Sequence, residues 1–202
     1  SFGFEHLEVG NNAVEIIESI IDGISTFKDE LITPDELDKY INAKLKDTTD
    51  EEQVDFLLKL KDLAKVYHKY QEFQRGKAVI DFDDMVVQAI QLFKTKQNVL
   101  AKYQKKFKHV LVDEFQDNNY AQLELVKQIA QKGNVTVVGD DDQSIYRFQG
   151  AYLTNFQDYT EFYKNSDKIT LNQNYRSTQN IVKLASELLQ KIPHREPKDL
   201  FS

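Results

Sequence analysis

Cysteine is absent from this chain of 202 residues, which excludes a disulfide framework and any metal site built on thiolates. The four histidines, at positions 6, 68, 109 and 194, lack the close spacing of metal ligands. No apolar run approaches the roughly 20 residues of a membrane-spanning helix, and the first residues show neither a signal-peptide pattern nor an initiator Met. We therefore expect a cytoplasmic fragment of a longer protein, without a membrane partner.

Basic residues are in the minority: 26 Lys and Arg stand against 33 Asp and Glu, for a net charge of −7. This balance argues against a protein whose surface carries enough basic side chains for nonspecific DNA binding. The acidic excess is uneven, because residues 1–75 hold 9 basic and 17 acidic side chains whereas residues 76–202 hold 17 and 16. Any nucleic-acid surface is expected mainly in the second part, and the acids of the first part are most simply solvated helix faces.

Apolar residues recur at steps of three and four through the first 75 residues, which predicts helices. The segments 33–36 and 49–52 each place a Thr cap three residues before a Glu, and Gly76 is expected to end the long helix. Residues 81–84 are expected to open a further helix with a buried face. The predicted buried side chains of that helix are Met85, Val86, Ile90 and Phe93.

Two short runs rich in β-branched residues, 109–112 and 135–138, show no alternation, which is typical of parallel strands covered on both faces. Residues 120–131 between them have helical spacing and stop at Gly133, so a strand, helix, strand unit is predicted. A third strand is expected over 169–171, before a helix from about 178 to 191. The fold class is therefore α/β, with a short parallel sheet after an all-helical N-terminal part.

The first predicted strand delivers Asp113 and Glu114 at its C-terminal end, where ligands bind in open α/β sheets. Such a pair suits a magnesium nucleotide. One carboxylate can bind the Mg²⁺ ion, usually through water, while its neighbour polarises an attacking water. The plainer alternative is a strand that ends in solvated acids.

The second predicted strand leads into a loop that crowds acids, an amide, an Arg and aromatics together. Gln143 could hydrogen-bond a terminal phosphate or its water, while Tyr146 and Phe148 could stack on exposed bases. Alternatively these aromatics belong to the core. After the third predicted strand, Tyr175 stands beside Arg176, whose guanidinium could neutralise charge on a transferred phosphoryl group; the alternative is a capped helix start with a surface Arg.

Three segments, DEFQD (113–117), GDDDQSIYRFQGA (139–151) and LNQNYRS (171–177), resemble motifs II, III and IV of the UvrD/Rep-like superfamily 1 DNA helicases, in that order. Weaker resemblance extends to residues 80–85 and 195–201. The resemblance implies an incomplete RecA-like P-loop NTPase domain. Residues 1–75 would be the helical subdomain 1B, residues 76–165 the C-terminal part of the first RecA-like domain, 1A, and residues 166–202 the start of the second, 2A.

The same resemblance implies ATP and Mg²⁺ as cofactors. Asp113 and Glu114 would lie at the magnesium, with Glu114 as the catalytic base. Gln143 and Arg176 would meet the γ-phosphate, and Tyr175 would stack on adenine.

The implied DNA partners are single strands and duplex junctions, contacted through Tyr146, Arg147 and Phe148. Many relatives have Trp where Phe148 stands and Arg where Gln149 stands, so one DNA contact of the family is missing. The activity implied for the parent is that of an ATP-dependent 3′ to 5′ helicase or translocase.

No G-x-x-x-x-G-K-[ST] phosphate loop occurs in the chain, and nothing resembles motifs V and VI. The 202 residues alone are therefore expected to be inactive, and their unpaired sheet edge is expected to favour self-association. One alternative function is a noncatalytic module that binds single-stranded DNA. Another is a metal nuclease with a two-ion cluster of acids, namely Asp113, Glu114, Asp117 and Asp140 to Asp142.

Overall fold

A computed structural model describes residues 6, 13–130, 133–143, 155–189 and 200–202. Over these residues the chain is mostly helical and contains one short parallel sheet. No helix in the described ranges is both long and apolar enough to cross a lipid bilayer. In chain order the elements are α1 (Ala13–Asp29), α2 (Pro34–Asp47), α3 (Glu51–Lys77), α4 (Phe82–Thr95), α5 (Gln97–Lys106), β1 (Val110–Val112), a 3-10 turn (Phe115–Asp117), α6 (Tyr120–Ile129), β2 (Val135–Val137), a second 3-10 turn (Asp141–Gln143), α7 (Asn155–Phe162) and α8 (Gln179–Leu189).

The start of α2 has the predicted cap. The backbone N–H of Glu36 donates to Thr33 Oγ1, and the Glu36 carboxylate accepts the Thr33 backbone N–H at 2.9 Å, so the two residues satisfy each other. At α3 the predicted cap, Thr49, is wrong. Asp50 takes the position instead, because its carboxylate accepts the N–H of Glu52 at 3.0 Å.

The end of α3 also differs from the prediction, since Gly76 lies inside the helix and does not terminate it. The helix runs on to Lys77, and Ala78 adopts the left-handed conformation with φ 53°. The N–H of Val79 then donates to the Gln74 carbonyl at 3.1 Å, which closes the last turn.

Helix α4 begins where predicted, with a reciprocal cap between Asp81 and Asp84. Its buried face includes Ile90 and Phe93, as expected, but Met85 remains 51% exposed. The burial of Met85 was therefore wrongly predicted, because apolar spacing does not say how wide a stripe the neighbouring helices cover.

The described chain divides into two compact units, Ser1–Phe107 with Asn119–Ile129, and Lys108–Asn118 with Ala130–Ser202. The predicted subdomain ranges 1–75, 76–165 and 166–202 stay predictions. In the first unit α2 packs on α3 around an apolar cluster that excludes water and contributes to its stability. The cluster consists of Leu37, Ile41, Leu57 and Ala64, with Phe27, Ile32, Leu45 and Leu60 packed against it.

The second unit holds the sheet, in which β1 and β2 run parallel with Val110 opposite Val135 and Val112 opposite Val137. Its core is aromatic. Phe115 is fully buried and meets the ring of Tyr159 edge to face at 5.6 Å. The Tyr159 hydroxyl donates to the Val135 carbonyl at 3.3 Å, so α7 is held against β2.

Two expectations for the strands are wrong. The strands are not covered on both faces, because Leu111 is 78% exposed; within the described residues the sheet is packed on one side only. Residues 169–171 form no strand, and Ile169 and Leu171 are 83% and 80% exposed. A single parallel bridge between Gln173 and Phe201 lies nearby instead. Short apolar runs alone do not reveal whether a neighbouring strand is present to pair with them.

Candidate functional site at the strand ends

The carboxyl ends of β1 and β2 lie at the same edge of the sheet. The N–H of Val138 donates to the Val112 carbonyl at 2.8 Å, and the N–H of Phe115 donates to the Val138 carbonyl at 2.9 Å. These two bonds extend the ladder beyond the strands. The polar residues that follow β1 are therefore neighbours of those that follow β2, as parallel pairing requires.

Asp113 and Glu114 follow β1 directly, and both are exposed to solvent. Glu114 has φ 48° and ψ 45°, the left-handed region, which costs a residue other than glycine about 1 kcal/mol or more. Its N–H donates to the Asp113 carboxylate at 3.0 Å. The two carboxylates have different partners, because Asp113 accepts this N–H whereas the Glu114 carboxylate accepts from the Gln116 amide.

Gln116 connects the two strand ends, and sequence reasoning assigned it no role. Its side chain is buried, with the residue 3% exposed. The amide Nε2 donates to Glu114 Oε2 at 2.8 Å, while Oε1 accepts the backbone N–H of Asp140 at 3.0 Å. Its place inside the DEFQD segment (113–117) is the sequence signal for this residue, but that signal does not reveal a partner 24 residues away.

Gly139 gives Gln116 the room for this bridge. A Cβ added at Gly139 would lie 2.4 Å from Gln116 Oε1 and 3.0 Å from both the Phe115 nitrogen and the Phe156 ring. These distances are shorter than van der Waals contact, so any side chain there would displace the amide or the backbone beside it. Glycine at this position is a requirement of packing.

Gln143 is held by Asp140 at the second 3-10 turn. Asp140 Oδ2 accepts the Gln143 side-chain amide at 2.9 Å, and Asp140 Oδ1 accepts the N–H of Asp142 at 3.2 Å. Gln143 itself is exposed. Because the Asp140 N–H is bound to Gln116, the candidate phosphate-sensing glutamine and Glu114 belong to one chain of hydrogen bonds.

Tyr175 and Arg176 lie on an exposed turn organised by Asn174. The Asn174 carboxamide oxygen accepts the N–H groups of Arg176 at 3.0 Å and Ser177 at 2.8 Å, while the Tyr175 hydroxyl donates to Gln173 at 2.7 Å. The Tyr175 side chain is 86% exposed, which suits stacking on a planar ligand.

Convergence of this turn with the acidic pair stays a prediction. Within the described part of the chain, no hydrogen bond or ion pair joins Arg176 to Glu114 or Gln143. The predicted DNA contacts Tyr146, Arg147 and Phe148 lie in residues 144–154, outside the described residues.

A magnesium nucleotide fits the donors present. Carboxylate oxygens are the ligands that Mg²⁺ prefers, and this ion is usually held by one or two carboxylates together with phosphates and water. In the described ranges no group of three or more His, Asp or Glu side chains could hold a metal ion. The two-ion nuclease cluster expected as an alternative would need such a group.

Comparison with known proteins agrees with the motifs. Residues 5–164 match the family described as the UvrD/REP helicase N-terminal domain. The chain is 40% identical over 185 residues to the ATP-dependent DNA helicase PcrA of Bacillus subtilis (strain 168), covering 91% of this chain and 23% of that protein. PcrA of Staphylococcus epidermidis is 40% identical over 183 residues, covering 90% and 23%, and PcrA of Leuconostoc citreum is 37% identical over 185 residues, covering 91% and 23%.

The chain thus spans about a quarter of the length of these relatives, 23% in each case. The family match covers well over half of the residues and includes both strands and both candidate motifs at their ends. This chain belongs to the UvrD/REP helicase family.

Proposed function

We propose that these residues are part of an ATP-dependent DNA helicase that moves 3′ to 5′ along single-stranded DNA. The relatives at 37% to 40% identity are ATP-dependent DNA helicases, which supports the assignment. The observation that carries it is the hydrogen-bond chain from Glu114 through Gln116 and Asp140 to Gln143 at the ends of two parallel strands. The described elements are, in this proposal, parts of RecA-like domains.

Each side chain has a distinct task in this proposal. Asp113, exposed at the end of β1, holds the magnesium with Glu114 beside it, and Glu114 accepts a proton from the attacking water as the catalytic base. Magnesium, when bound, neutralises charge on the phosphates. Gln143 orients the water or γ-phosphate, Arg176 neutralises charge there, and Tyr175 stacks on adenine.

A phosphate cradle has to come from outside the 202 residues, because no phosphate-loop sequence occurs within them. The 202 residues alone are therefore proposed to be inactive, and the active protein is proposed to be cytoplasmic. Its DNA contacts are single strands and duplex junctions, with Tyr146, Arg147 and Phe148 on the strand.

Self-association of the 202 residues is a further part of the proposal. Both strands are edge strands in the described sheet, and Leu111 exposes an apolar side chain on its open face. Open edges pair readily with other chains. Light scattering of the 202 residues at rising concentration should show growing mass; a constant monomer mass would count against this point.

The test of function uses the full-length protein encoded by the reading frame that contains these residues. ATP hydrolysis with and without single-stranded DNA should show strong stimulation, and Glu114→Gln should reduce turnover by about 100-fold or more. Unwinding should occur on duplexes with a 3′ tail and not on those with a 5′ tail. DNA binding without any stimulated hydrolysis would favour the noncatalytic binding module.

A further inference from the structure

We infer that Gln116 is the positioning residue that holds Glu114 for catalysis and links it to the phosphate-sensing loop. This inference rests on the proposed function, in which Glu114 is the base. It concerns a residue that touches neither nucleotide nor DNA in the proposal and acts through its side-chain hydrogen bonds to Glu114 and Asp140, with a longer one to Asp117 at 3.4 Å.

The first argument is the conformation of Glu114. A glutamate in the left-handed region is disfavoured, and its exposed side chain has several rotamers. The Gln116 amide donates to Glu114 Oε2 at 2.8 Å, which selects one of these arrangements. Because Gln116 is 3% exposed, its own side chain has little freedom and serves as a fixed support.

The second argument is the other end of the same side chain. Gln116 Oε1 accepts the N–H of Asp140 at 3.0 Å, and Asp140 in turn holds the Gln143 amide at 2.9 Å. An amide side chain can donate and accept at once, so glutamine suits a bridge between a carboxylate and a backbone N–H. A displacement of Gln143 by a phosphate is thereby coupled to the position of Glu114.

The third argument is the space around the bridge. The Cβ that Gly139 lacks would lie 2.4 Å from Gln116 Oε1, so the loop after β2 is shaped around this amide. A glutamine that served only as filling would not require a glycine opposite its polar end. Packing places the amide between the two strand ends, and its partners set its orientation, because the Asp140 N–H needs an acceptor and the Glu114 carboxylate needs a donor.

The experiment compares three variants of the full-length protein. Gln116→Met keeps the side-chain length and removes the side-chain hydrogen bonds to Glu114, Asp140 and Asp117. Gln128→Met is the matched control, because Gln128 is a buried glutamine on α6, 8% exposed, that is not part of the bridge. Glu114→Gln tests the base itself. The measurements are kcat and KM for ATP in DNA-stimulated hydrolysis, with the melting temperature of each variant.

Gln116→Met should lower kcat by about 10- to 100-fold while KM for ATP stays within about threefold, as expected for a support of a reacting group. Gln128→Met should leave kcat and KM within about twofold. A purely structural role would lower the melting temperature and the fraction of active protein, which also lowers the apparent kcat at constant KM. The kcat is therefore expressed per nucleotide-binding site, counted by titration with a nonhydrolysable ATP analogue, and on that basis a purely structural role leaves kcat unchanged.

Two outcomes overturn the inference in distinguishable ways. If Glu114→Gln abolishes turnover while Gln116→Met keeps full kcat, the bridge does not position Glu114, although the proposed function survives. If Glu114→Gln keeps full turnover, the proposed base is wrong and the inference is lost with it.

If Gln116→Met does not fold, Gln116→Asn replaces it. This variant keeps a neutral amide but is one methylene shorter, so it cannot reach Glu114 Oε2 and the Asp140 N–H at the same time, and kcat should still fall about 10-fold or more with KM little changed. A normal kcat in this variant would overturn the inference.

Discussion

Lys28 Nζ lies 2.8 Å from Asp84 Oδ1, and the two side chains expose only 1% and 9% of their surface. The same ammonium group also binds the Asp81 carboxylate, which accepts hydrogen bonds from the Tyr70 hydroxyl at 2.9 Å and the Gln74 amide at 3.0 Å. One buried cation therefore ties α1 to the start of α4, with α3 supplying the neutral donors. Within the first unit, this cluster joins helices that are distant in the sequence.

Replacing Lys28 by Met should destabilise the 202-residue protein by about 3 kcal/mol, because the buried Asp84 carboxylate and the partly buried Asp81 carboxylate would lose their cation. Urea unfolding followed by circular dichroism measures the change. Lys59→Met is the control: Lys59 pairs with Asp55 at 2.6 Å, but the side chains are 49% and 59% exposed, so the expected loss is below about 0.5 kcal/mol. Equal stability of Lys28→Met and the parent would contradict the importance of the cluster.

Asp81 should make stability sensitive to acid. Burial alone would raise the pKa of this carboxyl, but hydrogen bonds from Lys28, the Asp84 backbone and Tyr70 lower the pKa to about 2. The unfolded value is about 3.9, so the stabilisation is complete above pH of about 4 and is lost as pH falls toward 2. The free energy of unfolding of Asp81→Asn should change less over this window. An identical slope in both proteins would refute the assignment.

Asp29 should make the protein less stable as pH rises, which is the opposite of the effect of Asp81. Burial, together with the charges of Asp83 and Glu30, raises the pKa of its carboxyl to about 6. The folded state therefore holds a proton between pH of about 4 and 6 that the unfolded state has released, and stability falls as pH rises through this window.

Asp29→Asn should remove this fall, because an amide does not titrate and its oxygen can still accept from Asn119, which now donates to Asp29 at 2.5 Å. At pH 7 the free energy of unfolding of this variant should exceed that of the unsubstituted protein by about 1 kcal/mol. This is less than the pKa shift alone would give, because solvent screens the partly exposed carboxyl. Thermal unfolding of both proteins at pH 4, 5, 6 and 7 measures it. A variant as pH-dependent as the parent between pH 4 and 6 would contradict the prediction.

Substituting alanine for Gly139 and for Gly76 should change the free energy of unfolding in opposite directions. Gly139→Ala places a Cβ 2.4 Å from Gln116 Oε1, so we expect a loss of about 1 to 3 kcal/mol in unfolding free energy. Gly76→Ala is the matched control, because it lies within α3 and a Cβ there meets nothing within 4 Å. Alanine at position 76 lowers the entropy of the unfolded chain, so the free energy of unfolding should rise by about 0.5 kcal/mol. Equal stability of the two variants would show that the space at Gly139 is not limiting.

Tyr175→Ala should raise KM for ATP in the full-length protein by about 10-fold, since the ring proposed to stack on adenine is lost. Its side chain is 86% exposed, so the melting temperature should stay within about 2 °C of the parent. Tyr175→Phe keeps the ring and removes only the hydrogen bond to Gln173, and it should keep the parent KM. A high KM in the Phe variant would mean that the hydroxyl matters more than the ring.

Local features of the fold were predictable from the chain. The caps at Thr33 and Asp81 depend on partners three residues away, and the positions of β1 and β2 follow from short β-branched runs. The exposed face of β1 at Leu111 was not predictable, because burial depends on which elements pack against a strand. The predicted strand over 169–171 failed for the same reason.

The sequence predicted the motifs of the candidate site but not the hydrogen bonds that join them. Asp113, Glu114 and Gln143 follow strands at positions that spacing and resemblance both indicate. Gln116 lies within the DEFQD segment that resembles motif II, but no role was assigned to it, because residue type and spacing do not show that its side chain bridges two strands. The geometry that makes it a support arises from strand pairing, which brings Asp140 beside it.

The sequence by itself determined the family, the order of the motifs and the starts of several helices, because these properties depend on residue types at short, fixed spacing. Only the tertiary structure decided that Lys28 neutralises Asp81, 53 residues away, and that Gln116 meets Asp140, 24 residues away. The reason is physical: a buried hydrogen bond or ion pair forms wherever packing excludes water from both partners, and packing is a property of the folded chain.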